Sequence, residues 1–393
     1  MKRIVPLLVV VLVLAGGCAS SKPTPSEQAR KQWNSARAGV MVGLARQQLQ
    51  TGDLENCRKT LAEAEKLDPE NPNLHLLSAR AWIEQGKLEQ AENELQTVRR
   101  LDPKSAEACY LSGVIYQRWQ RPQVALEMYA KAAELQPAEL AYQLARAEML
   151  VWLDRPAEAL ALLQEKVAYF ENSAAIRDAV GQLLVQQGNF AQGAQVLRQA
   201  QVLAPEDPVI REHLAMALYY AGQYADAQRL LAKMTQEERF SRRGDLLEAL
   251  GHCQMQLRQP VEARQSFEAA AGLDPGNAGL WLNLAKAAME TNDLRRAELS
   301  LLKATHLEPA RAESQLLLGY LRLRQNRLDD ALLAFSKASA LQPTDTVALC
   351  MVGRVLEKKG KAAAAMECYA KALRLKPGDE LASKLMAQVQ INE

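Results

Sequence analysis

The chain has 393 residues, 48% hydrophobic and 24% charged, values of a globular chain and not of a disordered one. A net charge of +2, from 48 basic and 46 acidic residues, lacks the basic excess that nucleic-acid binding requires. Aromatics make up 5% while Ala, Leu and Gln abound, a balance that favours helices over a β-sandwich.

Lys2 and Arg3 precede an apolar run from Ile4 to Ala15, interrupted only by Pro6. Such a run is too short to span a bilayer, which takes about 20 residues. It reads as the core of a secretory signal. The sequence Leu14-Ala15-Gly16-Gly17-Cys18 that follows resembles the bacterial lipobox, in which small residues precede a cysteine acylated on sulfur before cleavage. Ala15 stands where that motif prefers Leu, and Leu14 lies one place early. The alternative is an ordinary signal-peptidase site with an incidental cysteine. The resemblance implies a signal peptide over 1–17 and fatty acyl chains, such as palmitate, on Cys18. A multiply acylated cysteine meets the requirement of stable anchoring for more than one chain. Ala19, in place of Asp, then implies the periplasmic face of the outer membrane. Loss of Lys2 and Arg3 with the signal would bring the basic residues level with the 46 acidic ones. Residues 19–25 read as a flexible tether, and Ser26 to Arg37 as a helix that extends the array, with Trp33 packed on its first repeat.

Prolines set the register of everything downstream. Pro69, Pro103 and Pro137 are 34 apart, and so are Pro275, Pro309, Pro343 and Pro377; Pro205 keeps the frame of the first set. Placing each at position 32 starts repeats at 38, 72, 106, 140, 174, 208, 244, 278, 312 and 346. Two extra residues before 244 are the sole break. Position 8 is Gly or Ala in all ten repeats, from Ala45 to Gly353. Position 20 is small throughout, from Cys57 to Ala365, and position 24 is large and apolar or aromatic, from Leu61 to Tyr369.

This 34-residue pattern resembles the tetratricopeptide repeat over residues 38–379. The resemblance implies an all-α fold, a right-handed superhelical solenoid of about ten helix-turn-helix repeats. Positions 8 and 20 stay small where two helices approach, and position 24 fills the space beside them. Glycines such as Gly52, Gly86, Gly188, Gly222 and Gly360 fall at the turn between helices. Two repeats depart from the pattern: the fourth carries Glu171 and Lys166, the sixth Arg239 and Met234, at positions 32 and 27. The polar segment Thr235 to Arg243 is either a tolerated departure or a joint between repeats 1–6 (38–243) and repeats 7–10 (244–379). From 380 to 393 a helix closes the array, with Leu381, Leu385, Met386 and Val389 on the last repeat and Lys384 and Gln388 in water.

Catalytic constellations are not legible. Gly86-Lys87 and Gly360-Lys361 lack the rest of a phosphate-binding loop. His75, His213, His252 and His306 lie without metal-ligand spacing, and only His252, at position 9, is placed to meet a ligand. Besides Cys18, five cysteines form an odd set, so they are no disulfide framework. Cys57 and Cys253 read as small core residues. Cys350 and Cys368 share the tenth repeat, where an oxidising compartment permits a bridge. The expectation is a non-enzyme with no cofactor, no metal, no nucleic acid and no small-molecule substrate.

In the family, positions 2, 5, 9, 12 and 13 of the first helix line a concave binding face. Position 13 is polar in eight repeats but Trp152 in the fourth and Tyr220 in the sixth. Met216, Tyr219, Met255, Met289 and Tyr320 cluster around them, a set suited to adaptable protein recognition; the alternative is that they pack between helices. The family's Lys and Asn grip on a terminal carboxylate, at positions 5 and 9, is absent, and position 5 reads Asp178, Glu212 and Glu248 in the middle repeats. The resemblance thus points to a lipid-anchored scaffold for envelope proteins, of the kind that assists pilus, secretin or polysaccharide-export assembly. An adaptor or regulator of cell-wall synthesis or hydrolysis enzymes is the second expectation.

Overall fold

The computed structural model describes residues 24–392, so Cys18 and the signal segment lie outside the described residues. The described residues form helices joined by short turns, without a strand. In chain order the helices are α1 (Pro25–Gln50), α2 (Leu54–Leu67), α3 (Pro72–Glu84), α4 (Leu88–Leu101), α5 (Ala106–Arg118), α6 (Pro122–Leu135), α7 (Leu140–Trp152), α8 (Pro156–Val167), α9 (Ala174–Gln186), α10 (Phe190–Leu203) and α11 (Pro208–Tyr220). They continue with α12 (Tyr224–Met234), α13 (Gly244–Gln256), α14 (Pro260–Leu273), α15 (Ala278–Glu290), α16 (Leu294–Leu307), α17 (Ala312–Arg324), α18 (Leu328–Leu341), α19 (Thr346–Lys358), α20 (Ala362–Leu375) and α21 (Glu380–Asn392). A single 3-10 turn, Glu238–Phe240, sits between α12 and α13. Two compact units divide at Leu162/Leu163, within α8. Each is a stack of antiparallel helix pairs.

Local chemistry sets the helix limits. Asn71, Ser105, Asp207, Asn277 and Asp345 end the inter-repeat turns and accept backbone N–H bonds at the starts of α3, α5, α11, α15 and α19. In the eight repeats with proline at position 32, the second helix runs 14 residues and stops two residues before the ring. The proline bars its predecessor from helical geometry; Asp68 before Pro69 has φ −147° and Gln136 before Pro137 has φ −138°. The two repeats without it are the two whose second helices are shorter, 12 residues in α8 and 11 in α12. Position 15 is at positive φ in every repeat, at the five glycines named above and at Gln120, Asp154, Arg258, Asn292 and Asn326.

Within each pair the three small-and-large columns meet. A methyl group built on Gly251 would lie 2.6 Å from the Phe267 ring, and one on Gly319 2.6 Å from the Phe335 ring. Gly113 against Tyr129 and Gly353 against Tyr369 repeat the arrangement at 2.5 Å. Where position 24 is Leu, position 8 is Ala in five of six repeats; the exception is Gly181 against Leu197. Ring and methyl compete for one volume, so the two columns vary together.

Two expectations need correction. Trp33 is 65% exposed. Helix α1 runs unbroken from Pro25 and its first turns project past α2, touching the turn after it through polar groups, Ser35 Oγ donating to Asp68 Oδ2 at 2.7 Å. Leu381 is likewise exposed, and Ala382, Leu385 and Val389 cover the last repeat instead. The five described cysteines are free thiols, Cys350 and Cys368 included. Burial pushes the Cys253 and Cys350 thiols up to about 11.

The segment 235–243 is packed rather than an open linker. Phe240 is buried with Leu231, Met234 and Leu246. Glu237 accepts both arms of the Arg211 guanidinium, at 2.6 and 2.9 Å, and Arg243 makes the same fork on Glu212 at 3.1 and 2.6 Å. The two extra residues are absorbed by the 3-10 turn.

Candidate protein-interaction surface

Small residues at positions 8 and 20 draw the two helices of a pair together, which leaves the last turn of the first helix free to carry large side chains outward. In the sixth repeat that turn is Tyr219-Tyr220. Tyr220 is 51% exposed. Its ring lies 5.4 Å from Phe190, the first residue of α10, and 5.1 Å from Tyr219. Tyr219 is half-buried and reaches Tyr224 at 6.4 Å and His252 at 6.3 Å. His252 in turn stands edge-on to Phe267 at 5.2 Å. A row of rings thus crosses repeats five to seven of the second unit. Met216 packs half-buried beneath it, beside Tyr219, on the core that includes Leu214 and Leu218. Met255 is half-buried one repeat on, against Ala263 and Phe267.

Polar groups fix the row. Asn283 Nδ2 donates to Glu248 Oε1 at 3.0 Å and lies 3.2 Å from His252 Nε2. Glu248 Oε1 also lies 3.6 Å from the same Nε2. Burial lowers the His252 pKa against the pull of Glu248, which keeps the imidazole neutral. Of the other two acids at position 5, Asp178 binds His213 Nδ1 of the following repeat at 2.8 Å, and Glu212 binds Arg243 at the end of its own repeat. The Asp178 contact raises the His213 pKa, burial opposing it.

The remaining expected residues are placed elsewhere. Trp152 ends α7 in the first unit, 49% exposed and with no ring neighbour among the described residues. Met289 is half-buried against Leu282 and Leu301. Tyr320 is half-buried, edge-on to Phe335 at 5.2 Å, and burial raises its hydroxyl pKa. Both lie in later repeats than the row. Phe190 and Tyr224 escaped the reading of the sequence, although a signal existed. They are the aromatics at position 17, in adjacent repeats, where the other eight repeats have Leu, Pro or Ala.

A family model for the tetratricopeptide repeat matches residues 49–111 and 184–250, and a second such model matches 106–139. The chain carries tetratricopeptide repeats. A model described as the C-terminal domain of cilia and flagella-associated protein 70 also matches, over residues 219–393. Among solved structures, the C-terminal part of a tetratricopeptide protein from Cytophaga hutchinsonii is 15% identical, with TM-score 0.52, and the match covers 61% of this chain and 98% of that one. A tetratricopeptide protein from Parabacteroides merdae is 18% identical over 64% of this chain and 98% of its own, with TM-score 0.44. YrrB, described as having an unusual peptide-binding site, is 21% identical over 49% of this chain and 97% of its own, with TM-score 0.42. No curated protein matches the chain. Tetratricopeptide arrays generally serve as scaffolds for protein interaction.

Proposed function

We propose that this tetratricopeptide protein is a non-catalytic scaffold, tethered to the outer membrane through acyl chains on Cys18, that holds envelope proteins against the ring row of repeats five to seven. The exposed Tyr220, set against half-buried Phe190 and continued by Tyr219 and His252, carries this reading. Rings of this kind supply large contact area at small entropic cost, the usual chemistry of interface hot spots. The lipobox-like sequence Leu14 to Cys18 supports the anchor, and with it an envelope address. Assembly of a pilus, secretin or polysaccharide-export machine is the work such a scaffold would assist.

Two variants test the two halves separately. Cys18→Ser should abolish labelling by a fatty-acid analogue; equal labelling of the variant sinks the anchor. Tyr220→Ala should weaken recovery of the main crosslinked envelope partner by about 2 kcal/mol, roughly thirtyfold, with melting nearly unchanged because half of the ring is already in water. A normal melt with full recovery of the partner would remove the row from the interface.

A further inference from the structure

The first repeat leaves open a face that every later repeat covers. Position 3 of the first helix is buried in each of the later repeats, from Leu74 to Ala348. There it packs on the second helix of the preceding repeat, as Leu74 does on Leu61 and Ala64 of α2 and Leu280 on Ala270 and Ala271 of α14. Position 7 is exposed in none of those repeats. No described helix precedes α1, and the same two positions are Val40, 75% exposed, and Leu44, 49% exposed. Trp33 continues them two turns back along α1. At about 100° per residue the three side chains fall within about 40° of one another. They lie on the side of α1 opposite the buried Ala38, Val42 and Ala45. Arg30 and Arg37 flank them, exposed and without an ion pair among the described residues. Glu27, the one acid of α1, is turned off this face and held in the Thr24 cap.

We propose that this face of α1 lies on an anionic bilayer surface. The inference rests on the proposed Cys18 anchor for the nearness of that bilayer, and it adds a direct contact between protein and lipid headgroups. Residues 19–24 are all that separates Cys18 from Pro25, so even at full stretch α1 starts within about 25 Å of the acylated residue. Charge selects lipid over a second copy of the chain. Two copies joined through this face would set Arg30 and Arg37 against the same arginines, whereas phospholipid phosphates neutralise them. An indole at headgroup level, aliphatic side chains just beneath it and guanidiniums that reach back to the phosphates make up a helix lying in an interface. No helix among the described residues is long and apolar enough to cross a membrane, so α1 rests on the surface and does not span it. The core that α1 shares with the next two helices lies on its other side, and no neighbouring helix stands between the face and the bilayer.

Tryptophan emission of the full acylated chain on vesicles of phosphatidylethanolamine and phosphatidylglycerol, with part of the acyl chains brominated, decides the matter. Bromine quenches an indole by contact. Trp33 is one of 5 tryptophans, so total emission should fall by up to about one fifth relative to unbrominated vesicles, and Trp33→Phe should abolish the fall. Val40→Glu with Leu44→Glu should abolish it too. Arg30→Glu with Arg37→Glu should cut it about threefold or more, while the lysine pair Arg30→Lys with Arg37→Lys keeps it. All five positions are exposed, so these variants should melt as the parent does. Flotation of the Val40→Glu, Leu44→Glu variant on neutral phosphatidylcholine vesicles reads the anchor alone, so failure of the anchor and failure of the helix contact are seen separately. No fall in emission, whether or not the chain floats, or a fall that Trp33→Phe leaves in place, overturns the proposal. A concentration-dependent dimer in detergent that Val40→Glu dissolves would give the face to a second copy and overturn it as well.

Discussion

At the scale of single residues, the pairing of Gly with a ring and Ala with Leu makes a sharp test. Gly251→Ala drives a methyl group into Phe267, at a cost of about 1–3 kcal/mol, offset by roughly 1 kcal/mol of better helix propensity. Phe267→Leu alone loses packing on the order of 1 kcal/mol. Made together, the two changes recreate the Ala285–Leu301 pair of the next repeat. The double variant should therefore be more stable than Gly251→Ala by about 1 kcal/mol or more, despite its smaller core. Strictly additive denaturant midpoints would refute the shared-volume account. The turn at position 15 gives a second case. Arg258 holds φ +60°, where an L side chain costs about 1–2 kcal/mol that glycine avoids, less glycine's greater loss of freedom on folding. Arg258→Gly should raise stability by about 0.5–1 kcal/mol in urea titration. Both columns were legible from sequence because repetition displays ten solutions of one packing problem. Their coupling shows only when positions 8 and 24 are read as a pair.

At the scale of elements, the two repeats that lack the position-32 proline are those with the short second helices α8 and α12, and their departure from the pattern was legible, though not its direction. The fate of residues 235–243 was not. Their composition is polar, and one buried side chain, Phe240, together with two guanidinium forks decides the outcome. Single-chain periodicity has no column for an insertion. Exposure of Trp33 and Leu381 was illegible for a related reason: both lie outside the ten-fold pattern, where hydrophobicity alone assigned them inward. A different element-level contact makes stability depend on pH. His75 on α3 is buried between Glu94 Oε2 of α4, 2.6 Å from Nδ1, and the Pro69 carbonyl, 2.8 Å from Nε2. Both partners accept, so the geometry suits the protonated ring. The Glu94 contact raises the His75 pKa above its ordinary value of about 6.5, with burial opposing and Glu65 of α2 adding a smaller pull. A raised histidine stabilises fully below the unfolded pKa, and that contribution disappears as pH climbs through the folded value. Peptide-resolved hydrogen exchange of repeats one and two should show protection falling from pH 6 towards 9. His75→Gln should flatten that slope, and an unaltered slope in the variant would assign it to other groups.

At the scale of the whole molecule, the physics is that of a one-dimensional array. Each helix pair buries its columns against itself and its sequence neighbours, and stability is a sum of repeat and interface contributions. Of the candidate surface, the residues that stood out as breaks in a polar column, Tyr220 and Trp152, are the exposed ones. Those read from local clustering, Met289 and Tyr320, are packed into later repeats. Ala297 tests the array directly. It is fully buried at position 20 of the eighth repeat, in a core with Leu282, Leu301 and Leu318. Ala297→Trp cannot be housed between α15 and α16 without parting them, at a cost of about 1–3 kcal/mol or more. In a cooperative globule that cost would lower protection everywhere. Here the strain passes only through α14–α15 and α16–α17 packing, so lost protection should concentrate in repeats seven to nine. The rings of repeats five and six, Phe190, Tyr219 and Tyr220, should keep their exchange rates. Exchange mapped along the chain distinguishes the two pictures: a step confined to residues 244–345 marks nearest-neighbour coupling, and uniform loss from α9 to α21 marks one cooperative body.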